Sequence, residues 1–173
     1  MNIIFLGPIA SGKGTQANLA ASKYNLQAIS IGELLRTRRN IQDDIGLKIA
    51  SLQQQGVLVD DDITLQVLEE KVKTCRENEG ILFDGYPRTL NQANLLDKLL
   101  KKYNRKIDNV INFEIEDKAI IDRIGGRLIC KCGETYHTTY NKPVNENICD
   151  KCGEKLYQRD DDKLEKAKNR LEV

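Results

Sequence analysis

Short apolar runs alternate along this chain with longer segments whose apolar residues recur every three or four positions. The runs at residues 2–6, 26–29, 81–83 and 109–114 predict short buried strands. The segments between them predict helices at residues 13–24, 32–39, 43–55, 62–77, 89–102 and 117–125. Because strands that alternate with helices form parallel sheets, we expect an α/β fold, with a parallel sheet flanked by helices.

Two segments interrupt the alternation. Residues 30–59 predict helices with no strand between them, and residues 127–159 are rich in Cys, Gly, Tyr and Thr and lack a helical period. We therefore predict a core made of residues 1–29, 60–126 and 160–173, with one insert at 30–59 and a second at 127–159. The helical pattern resumes at residues 161–173.

Composition narrows the class of protein. The chain has 173 residues, is 40% hydrophobic and carries a net charge of +1, which is typical of one compact globular domain and argues against a nucleic-acid binder. It has no apolar run of membrane length, and its first residues do not form a signal peptide. Five cysteines without a leader predict a reducing compartment, the cytoplasm, and favour metal or thiol chemistry over disulfides.

A phosphate-binding loop is predicted directly after the first strand. Gly7 and Gly12 flank four residues, and Lys13 follows at the start of a helix. Glycines let backbone N–H groups face inward, and the helix directs its positive end to the same place. Lys13 would bind the β- and γ-phosphates, and the Thr15 hydroxyl can hold Mg²⁺. Gly14 stands where the common motif has Ser or Thr.

Four of the cysteines form two close pairs, Cys130 with Cys132 and Cys149 with Cys152, separated by 16 residues. This spacing predicts a tetrahedral structural zinc site, although the first pair has only one residue between its sulfurs. A disulfide is the alternative, which a reducing compartment disfavours. An insert of 33 residues buries too little surface to hold itself together, so the metal would supply its order.

Several motifs resemble one enzyme family in the right order and over essentially the whole chain. They are GKGTQ at 12–16, GELLR at 32–36, GVLV at 56–59, LFDGYPRTLNQ at 82–92, DRIGGR at 122–127, CGETYH at 132–137 and YQRDDD at 157–162. The chain is similar to nucleoside-monophosphate kinases, and above all to adenylate kinases with a zinc-binding lid. The resemblance implies a P-loop NTPase-like fold, an NMP-binding insert at 30–59, a lid at 127–159, and phosphoryl transfer from MgATP to AMP that gives two ADP.

The resemblance also implies roles for individual residues. It implies that the Asp84 carboxylate orders Mg²⁺ through water. The residues it implies as catalytic in phosphoryl transfer are Lys13, Asp84, Arg88, Arg123, Arg159 and Arg170. The residues it implies around ATP are Ala10, Ser11, Gly12, Lys13, Gly14, Thr15, Arg123, Arg127, Thr135 and Tyr136. Those it implies around AMP are Ile31, Arg36, Val57, Leu58, Val59, Gly85, Tyr86, Pro87, Arg88, Gln92, Arg159 and Arg170. Arginine suits these positions because its planar fork binds phosphate oxygens in pairs.

Acceptor choice depends on two of these positions. Gln92 favours AMP, because relatives that phosphorylate pyrimidine monophosphates usually carry Asn there. Ile31 departs from the family, which usually has Thr at this position for a polar contact with the base. Asp161 and Asp162 match family positions that face the site. His137 is expected to be an ordinary hydrogen-bonded residue, and Cys75 a small apolar residue within a helix.

Two other functions stay open at this stage. One is a kinase for a different nucleoside monophosphate, which Ile31 supports. The other is a zinc-ribbon module for nucleic acid, suggested by the cysteines and by RTRRN at 36–40, although it leaves GKGTQ and DGYPR unexplained. We expect a monomer that binds neither membrane nor nucleic acid. Family members continue with another strand and helix, so we expect the 173-residue chain to be less active and less stable than an extended form.

Overall fold

The structure, a computed structural model, describes residues 1–55, 57–159 and 162. Its strands are β1 (Asn2–Leu6), β2 (Leu26–Ser30), β3 (Gly80–Asp84), β4 (Asn109–Asn112), β5 (Arg127–Ile129) and β6 (Thr135–His137). Its helices are α1 (Lys13–Tyr24), α2 (Ile31–Arg38), α3 (Asp44–Gln54), α4 (Asp61–Val72), α5 (Leu90–Lys102) and α6 (Asp117–Gly125). In the part of the chain that the structure describes, no helix is long and apolar enough to span a membrane. Apart from Asp162, the helix predicted at 161–173 lies outside the described residues.

The chain divides into two compact units. The first consists of Met1–Gly7 and Lys13–Asn112, and the second of Pro8–Gly12 and the described residues from Phe113 onward. The predicted boundaries of the core and of the two inserts are not tested by this division and stay a prediction.

The first unit contains a four-stranded parallel sheet with the order β2-β3-β1-β4. The central strands β3 and β1 pair along their length, from Asn2 opposite Ile81 to Phe5 opposite Asp84. This sheet, with helices between its strands, confirms the predicted fold class. Because the strands are parallel, β1, β2 and β3 all end at the same edge, where the chain enters the segments that carry the predicted site.

The core of the first unit lies on one face of this sheet. Strand alternation points Ile4, Ile81 and Phe83 to the same side, where α4 and α5 cover them. The buried residues of this cluster are Ile4, Ile29, Ile31, Leu68, Val72, Ile81, Phe83, Tyr86, Leu96, Leu99 and Leu100. Ile3, Phe5 and Leu82 point to the opposite face and are also buried, so β1 and β3 are covered on both faces. The strand predicted at 109–114 is shorter than expected and is not buried, because β4 ends at Asn112 and all four of its residues are exposed.

Polar side chains close the other edge of the sheet, where the strands begin. The Asn2 side chain is buried, donates to the Lys106 carbonyl at 2.8 Å and accepts from the Ile81 N–H at 3.1 Å. Arg105 donates to the Glu79 carbonyl at 2.7 Å. These side-chain bonds supply hydrogen-bond partners to backbone groups at this edge of the sheet.

Helix α4 is shorter than the sequence indicates. It ends at Val72 and not at residue 77, so the prediction that Cys75 lies within a helix is wrong. The Thr74 hydroxyl donates to the Lys71 carbonyl at 2.7 Å, and the backbone N–H groups of Thr74 and Cys75 bond three residues back, which tightens the last turn. The Cys75 thiol still packs against the core as a small apolar group.

The second unit contains α6 and the β5–β6 hairpin. Ile120 and Ile124 of α6 are buried against Ile9, Ala10 and Ile115. The antiparallel hairpin pairs residues 127–129 with 135–137, and isolated bridges join Ile129 to Tyr157 and Ile148 to Lys155. The segment 127–159, which we call the lid segment, is therefore built of short β pairs, in agreement with its lack of a helical period.

Candidate active site

The loop after β1 has the backbone of a phosphate-binding loop. Gly7 and Gly12 have φ angles of 133° and 92°, and Ala10 has a φ of 55°, so three residues lie in the left-handed region. The Lys13 ammonium donates to the Gly7 carbonyl at 2.7 Å. Lys13 is the first residue of α1, and Gly14 and Thr15, which are both exposed residues, follow in the same turn. The helix end and the ammonium thus mark one place where an anion is favoured.

Asp84 lies beside the start of α1. It is the last residue of β3, and a Cβ placed on Gly14 would lie 3.7 Å from its Oδ2 atom. The Thr15 side chain, in the same first turn, is exposed. A carboxylate and a hydroxyl are oxygen donors of the kind that Mg²⁺ takes alongside water and phosphate, so this donor set fits the predicted metal.

The segment after β3 turns sharply. Gly85 has a φ of 71°, and the peptide bond between Tyr86 and Pro87 is cis. The Arg88 Nε donates to the Gly85 carbonyl at 2.9 Å, which holds the guanidinium against this turn. The Tyr86 ring is buried in the core, and burial together with the charge of Asp61 raises the pKa of its hydroxyl to about 12. Among the described residues its Oη finds no hydrogen-bond partner.

Gln92 lies in the first turn of α5. The Thr89 hydroxyl caps this helix by accepting from the Gln92 N–H at 3.1 Å. The Gln92 side chain makes two further bonds: its Oε1 accepts from the Arg88 N–H at 2.7 Å, and its Nε2 donates to Asp61 Oδ1 at 2.7 Å. Sequence reasoning found Gln92 but missed Asp61, because the contact joins two helices that are distant in the sequence.

The other residues predicted around AMP differ in how far they are buried. The Ile31 side chain is 4% exposed and belongs to the core, which accounts for an apolar residue at this position. Arg36 is half-buried on α2, with its guanidinium folded back towards Gly32. Val57 and Leu58 are exposed, by 51% and 70%, in the segment between α3 and α4.

The second unit holds three of the remaining predicted arginines. Arg123, in the last turn of α6, is exposed and donates to the Ala10 carbonyl at 3.3 Å. Arg127 forms two hydrogen bonds with the buried Asp162 carboxylate, one of them from Nε at 2.9 Å. The Arg159 Nε is buried and has no partner among the described residues. Arg170 and Asp161 lie outside the described residues.

Two residues predicted around ATP begin β6 and point to opposite sides of the lid segment. Thr135 is exposed, whereas Tyr136 is buried with Cys130, Cys149 and Leu156. The Tyr136 Oη accepts from the Asp150 N–H at 2.9 Å and lies 3.6 Å from the Cys149 Sγ. The Tyr136 side chain therefore belongs to the interior of the lid segment.

The four lid cysteines form one cluster. Their sulfur atoms all lie within 4.8 Å of one another, with Cys130 and Cys149 buried and Cys132 and Cys152 exposed. A tetrahedral zinc ion with bonds of about 2.3 Å needs sulfurs separated by about 3.8 Å, which lies within this limit, so the four sulfurs can share one zinc ion. The shortened first pair still makes a turn, in which Gly133 has a φ of 91° and donates to the Cys130 carbonyl at 3.0 Å.

The electrostatics of the cluster favour thiolate at Cys149. Burial works against this charge, but hydrogen bonds from the Tyr136 hydroxyl and from the backbone of Cys152 and Lys151 lower the pKa of the Cys149 thiol to about 6. His137 takes no part in the cluster. Its Nδ1 accepts from the Thr139 and Tyr140 N–H groups at 3.0 and 3.2 Å, which agrees with the expectation of an ordinary hydrogen-bonded residue.

Comparison with known proteins covers the whole chain. The sequence model of the family described as Adenylate kinase matches residues 5–173. An adenylate kinase of Methanosarcina mazei is 42% identical over 173 residues, which are 100% of this chain and 80% of the relative. Adenylate kinases of Caldicellulosiruptor bescii and Bacillus cytotoxicus are each 41% identical over 174 residues and are covered over 81% of their length.

Proposed function

The chain belongs to the adenylate kinase family, and from this premise we propose how its residues bind the nucleotides and carry the reaction. The enzyme transfers a phosphoryl group from MgATP to AMP and forms two molecules of ADP. We assign the reacting end of the site, where the phosphate groups react, to the start of α1. The observation that carries this assignment is the Lys13 ammonium at that position, with the Asp84 carboxylate beside the same turn. Neither of the other two hypotheses gains support from a feature of the described residues.

We assign AMP to the first unit. Arg36 and Arg88 would bind its phosphate, and Gln92 would bind the edge of its adenine. The anchoring of the Arg88 guanidinium on the Gly85 carbonyl supports this role, because an arginine held in place loses less conformational entropy when it binds phosphate. Backbone groups of Val57, Leu58 and Val59 would line the base on its other side.

We assign the phosphates of ATP to the loop at residues 7–15. Its backbone N–H groups and Lys13 would hold the β- and γ-phosphates. Thr15 and Asp84 are the residues that would hold Mg²⁺, directly or through water. When bound, this ion neutralises part of the phosphate charge and polarises the group to be transferred.

Arg123, Arg127 and Arg159 of the second unit, together with Arg170, would bind the charge that spreads over the phosphate oxygens during transfer. The buried Nε of Arg159, which has no partner among the described residues, supports this role, since a buried donor without a partner is favoured to bind an incoming acceptor. Asp162 would hold Arg127 in a fixed orientation. No side chain needs to act as a nucleophile, because the AMP phosphate attacks the γ-phosphorus of ATP in line.

The lid segment would cover ATP and exclude water, which protects ATP from hydrolysis. We propose that zinc holds this segment together through Cys130, Cys132, Cys149 and Cys152, in support of which their sulfurs lie close enough to share one ion. A cytoplasmic location is part of the proposal, because these thiols bind a metal only while reduced. That the enzyme acts as a monomer stays a prediction, which sedimentation of the purified chain tests.

Substitution of Lys13 tests the assignment of the reacting end. In Lys13→Gln we expect kcat to fall by about 10²–10³-fold, since a charge that stabilises the transition state is lost. Lys23→Gln, which removes an exposed lysine from the last turn of the same helix, is the matched control and should keep wild-type turnover. The assay couples ADP formation from ATP with AMP, GMP, UMP or CMP, and zinc is measured on the same sample. Equal kcat in the two variants would contradict the assignment.

A further inference from the structure

The carboxylate of Asp61 accepts hydrogen bonds from two side-chain amides of the neighbouring helix. Asp61 is the first residue of α4, and its Oδ1 and Oδ2 atoms accept from Gln92 Nε2 and Asn91 Nδ2, each at 2.7 Å. These two bonds, of which that from Gln92 contributes more, hold the pKa of Asp61 below its usual range. The charge therefore persists at neutral pH and strengthens both bonds.

The same contact fixes which way the Gln92 amide faces. A carboxylate oxygen only accepts, so the atom of Gln92 next to Asp61 must be the NH₂ group. The Arg88 backbone N–H only donates, so the atom next to it must be the Gln92 carbonyl oxygen. An amide turned by 180° would face Asp61 with an oxygen and Arg88 with an NH₂ group, and would lose both bonds.

The oriented amide retains one N–H and one oxygen lone pair for a ligand. Adenine offers a donor at its 6-amino group and an acceptor at N1, whereas guanine offers an acceptor at O6 and a donor at N1. Either base can meet an amide through two hydrogen bonds, but the two bases need opposite orientations of that amide. Fixing the amide therefore selects between the two purines.

We propose that Asp61 is a positioning residue that fixes the donor and acceptor ends of the Gln92 amide and thereby makes the enzyme prefer AMP to GMP. The inference rests on the proposed function, in which Gln92 binds the acceptor base. Asp61 itself touches no substrate in this scheme and acts only through Gln92.

A purely structural role has to be distinguished from this one. An acidic residue in the first turn stabilises α4, and the Gln92 side chain completes the cap of α5 by accepting from Arg88. Loss of either feature lowers stability, yet it leaves the ratio of activities with two acceptors unchanged. That ratio is therefore the readout to measure.

The experiment compares Asp61→Ser with Asp62→Ser in the full chain. Serine is tolerated at helix starts, but its hydroxyl does not reach as far as the carboxylate, so Asp61→Ser breaks the bond to Gln92. Asp62 is exposed in the same turn and carries the same charge, which makes it the matched control. For Asp61→Ser we expect KM for AMP to rise about tenfold with kcat retained, and the kcat/KM ratio of AMP to GMP to fall about tenfold. Asp62→Ser and Asn91→Ala should keep the wild-type ratio, and Asp61→Asn, whose carbonyl still accepts, should recover most of it.

Gln92→Ala separates failure of this inference from failure of the proposed function. An unchanged AMP-to-GMP ratio in Gln92→Ala overturns the role of Gln92 and the inference with it. A ratio that falls in Gln92→Ala but not in Asp61→Ser, or that falls equally in Asp61→Ser and Asp62→Ser, overturns the inference alone. Hydrogen exchange of the Gln92 side-chain amide in the wild-type chain needs no variant. One slowly exchanging N–H supports the fixed orientation of the Gln92 amide, and two rapidly exchanging N–H groups overturn it.

Discussion

The sheet of the first unit and the lid segment of the second are held together by different means. Buried aliphatic and aromatic side chains cover much of the sheet, and one cluster has eleven buried members among the described residues. The lid segment has a cluster of four buried residues, of which two are the thiols of Cys130 and Cys149. Burial of apolar area is enough for the former, whereas the latter has a small apolar cluster and, under the proposed function, depends on a metal held by its four sulfurs. The two regions should therefore respond to different perturbations.

Removal of the metal is expected to have the largest effect, and only on the lid segment. Structural zinc contributes about 10–16 kcal/mol to folding in small zinc domains. In Cys149→Ser, or after chelation, we expect rapid proteolytic cleavage within residues 127–159 and loss of phosphoryl transfer, while the sheet of the first unit unfolds at the same urea concentration. Zinc content, peptide mapping and urea titration measure this.

The matched control for Cys149→Ser is Cys75→Ser, which removes the thiol outside the cluster. It should keep its zinc and its resistance to cleavage. If Cys149→Ser remained as resistant as Cys75→Ser, the metal would not be what orders the lid segment.

Truncation of a core side chain should give the reverse pattern. Phe83 is fully buried at the centre of the sheet, so Phe83→Ala should lower the free energy of unfolding by about 3–5 kcal/mol through lost burial and the cavity left behind. Its zinc content should not change. Leu90→Ala, at a side chain that is 86% exposed, should change the unfolding free energy by no more than about 0.5 kcal/mol in the same urea titration. Equal losses in the two variants would mean that burial is not what stabilises the sheet.

Loss of the hydroxyl group from two buried tyrosines should have smaller effects, and these should be opposite in sign. The Tyr86 hydroxyl has no partner among the described residues, so Tyr86→Phe should raise the free energy of unfolding by about 1 kcal/mol. The Tyr136 hydroxyl accepts from the Asp150 N–H and contacts Cys149, so Tyr136→Phe should weaken the lid segment and speed the loss of zinc to a chelator. Calorimetry and a chromogenic zinc chelator measure the two effects. Destabilisation by both changes would show that Tyr86 has a partner.

The sheet could be predicted from the sequence because its signals are local. The bounds of β1, α1 and α6 agree with the prediction at both ends, since apolar runs and helical periods coincide there with glycines and helix-starting residues. The end of α4 was missed because a side-chain hydrogen bond from Thr74 to Lys71, and not the apolar pattern, decides it. The lid hairpin was missed for a different reason: its strands have three residues each and are too short to show an alternating period.

The sequence could predict those parts of the candidate site that depend on residue type and on position in a family motif. The loop around Lys13 and the four clustered cysteines stand out in the sequence because their spacing reflects their chemistry. The direction of the Tyr136 side chain, into the lid segment, depends on packing that a motif does not encode. The contact of Asp61 with Gln92 joins α4 to α5, and no pattern within either helix points to it. The assigned roles of the individual site residues stay predictions.

The strand order has a consequence for folding of the chain during its synthesis on the ribosome. Neighbours in the four-stranded sheet are β2 with β3, β3 with β1, and β1 with β4, so the first two strands to be synthesised do not pair with each other. Within the described chain, no hydrogen-bonded strand pair of this sheet can therefore close before residues 80–84 have left the exit tunnel. Until then the apolar residues of β1 and β2 emerge without a neighbouring strand, and unpaired apolar segments of this kind are prone to association with other chains.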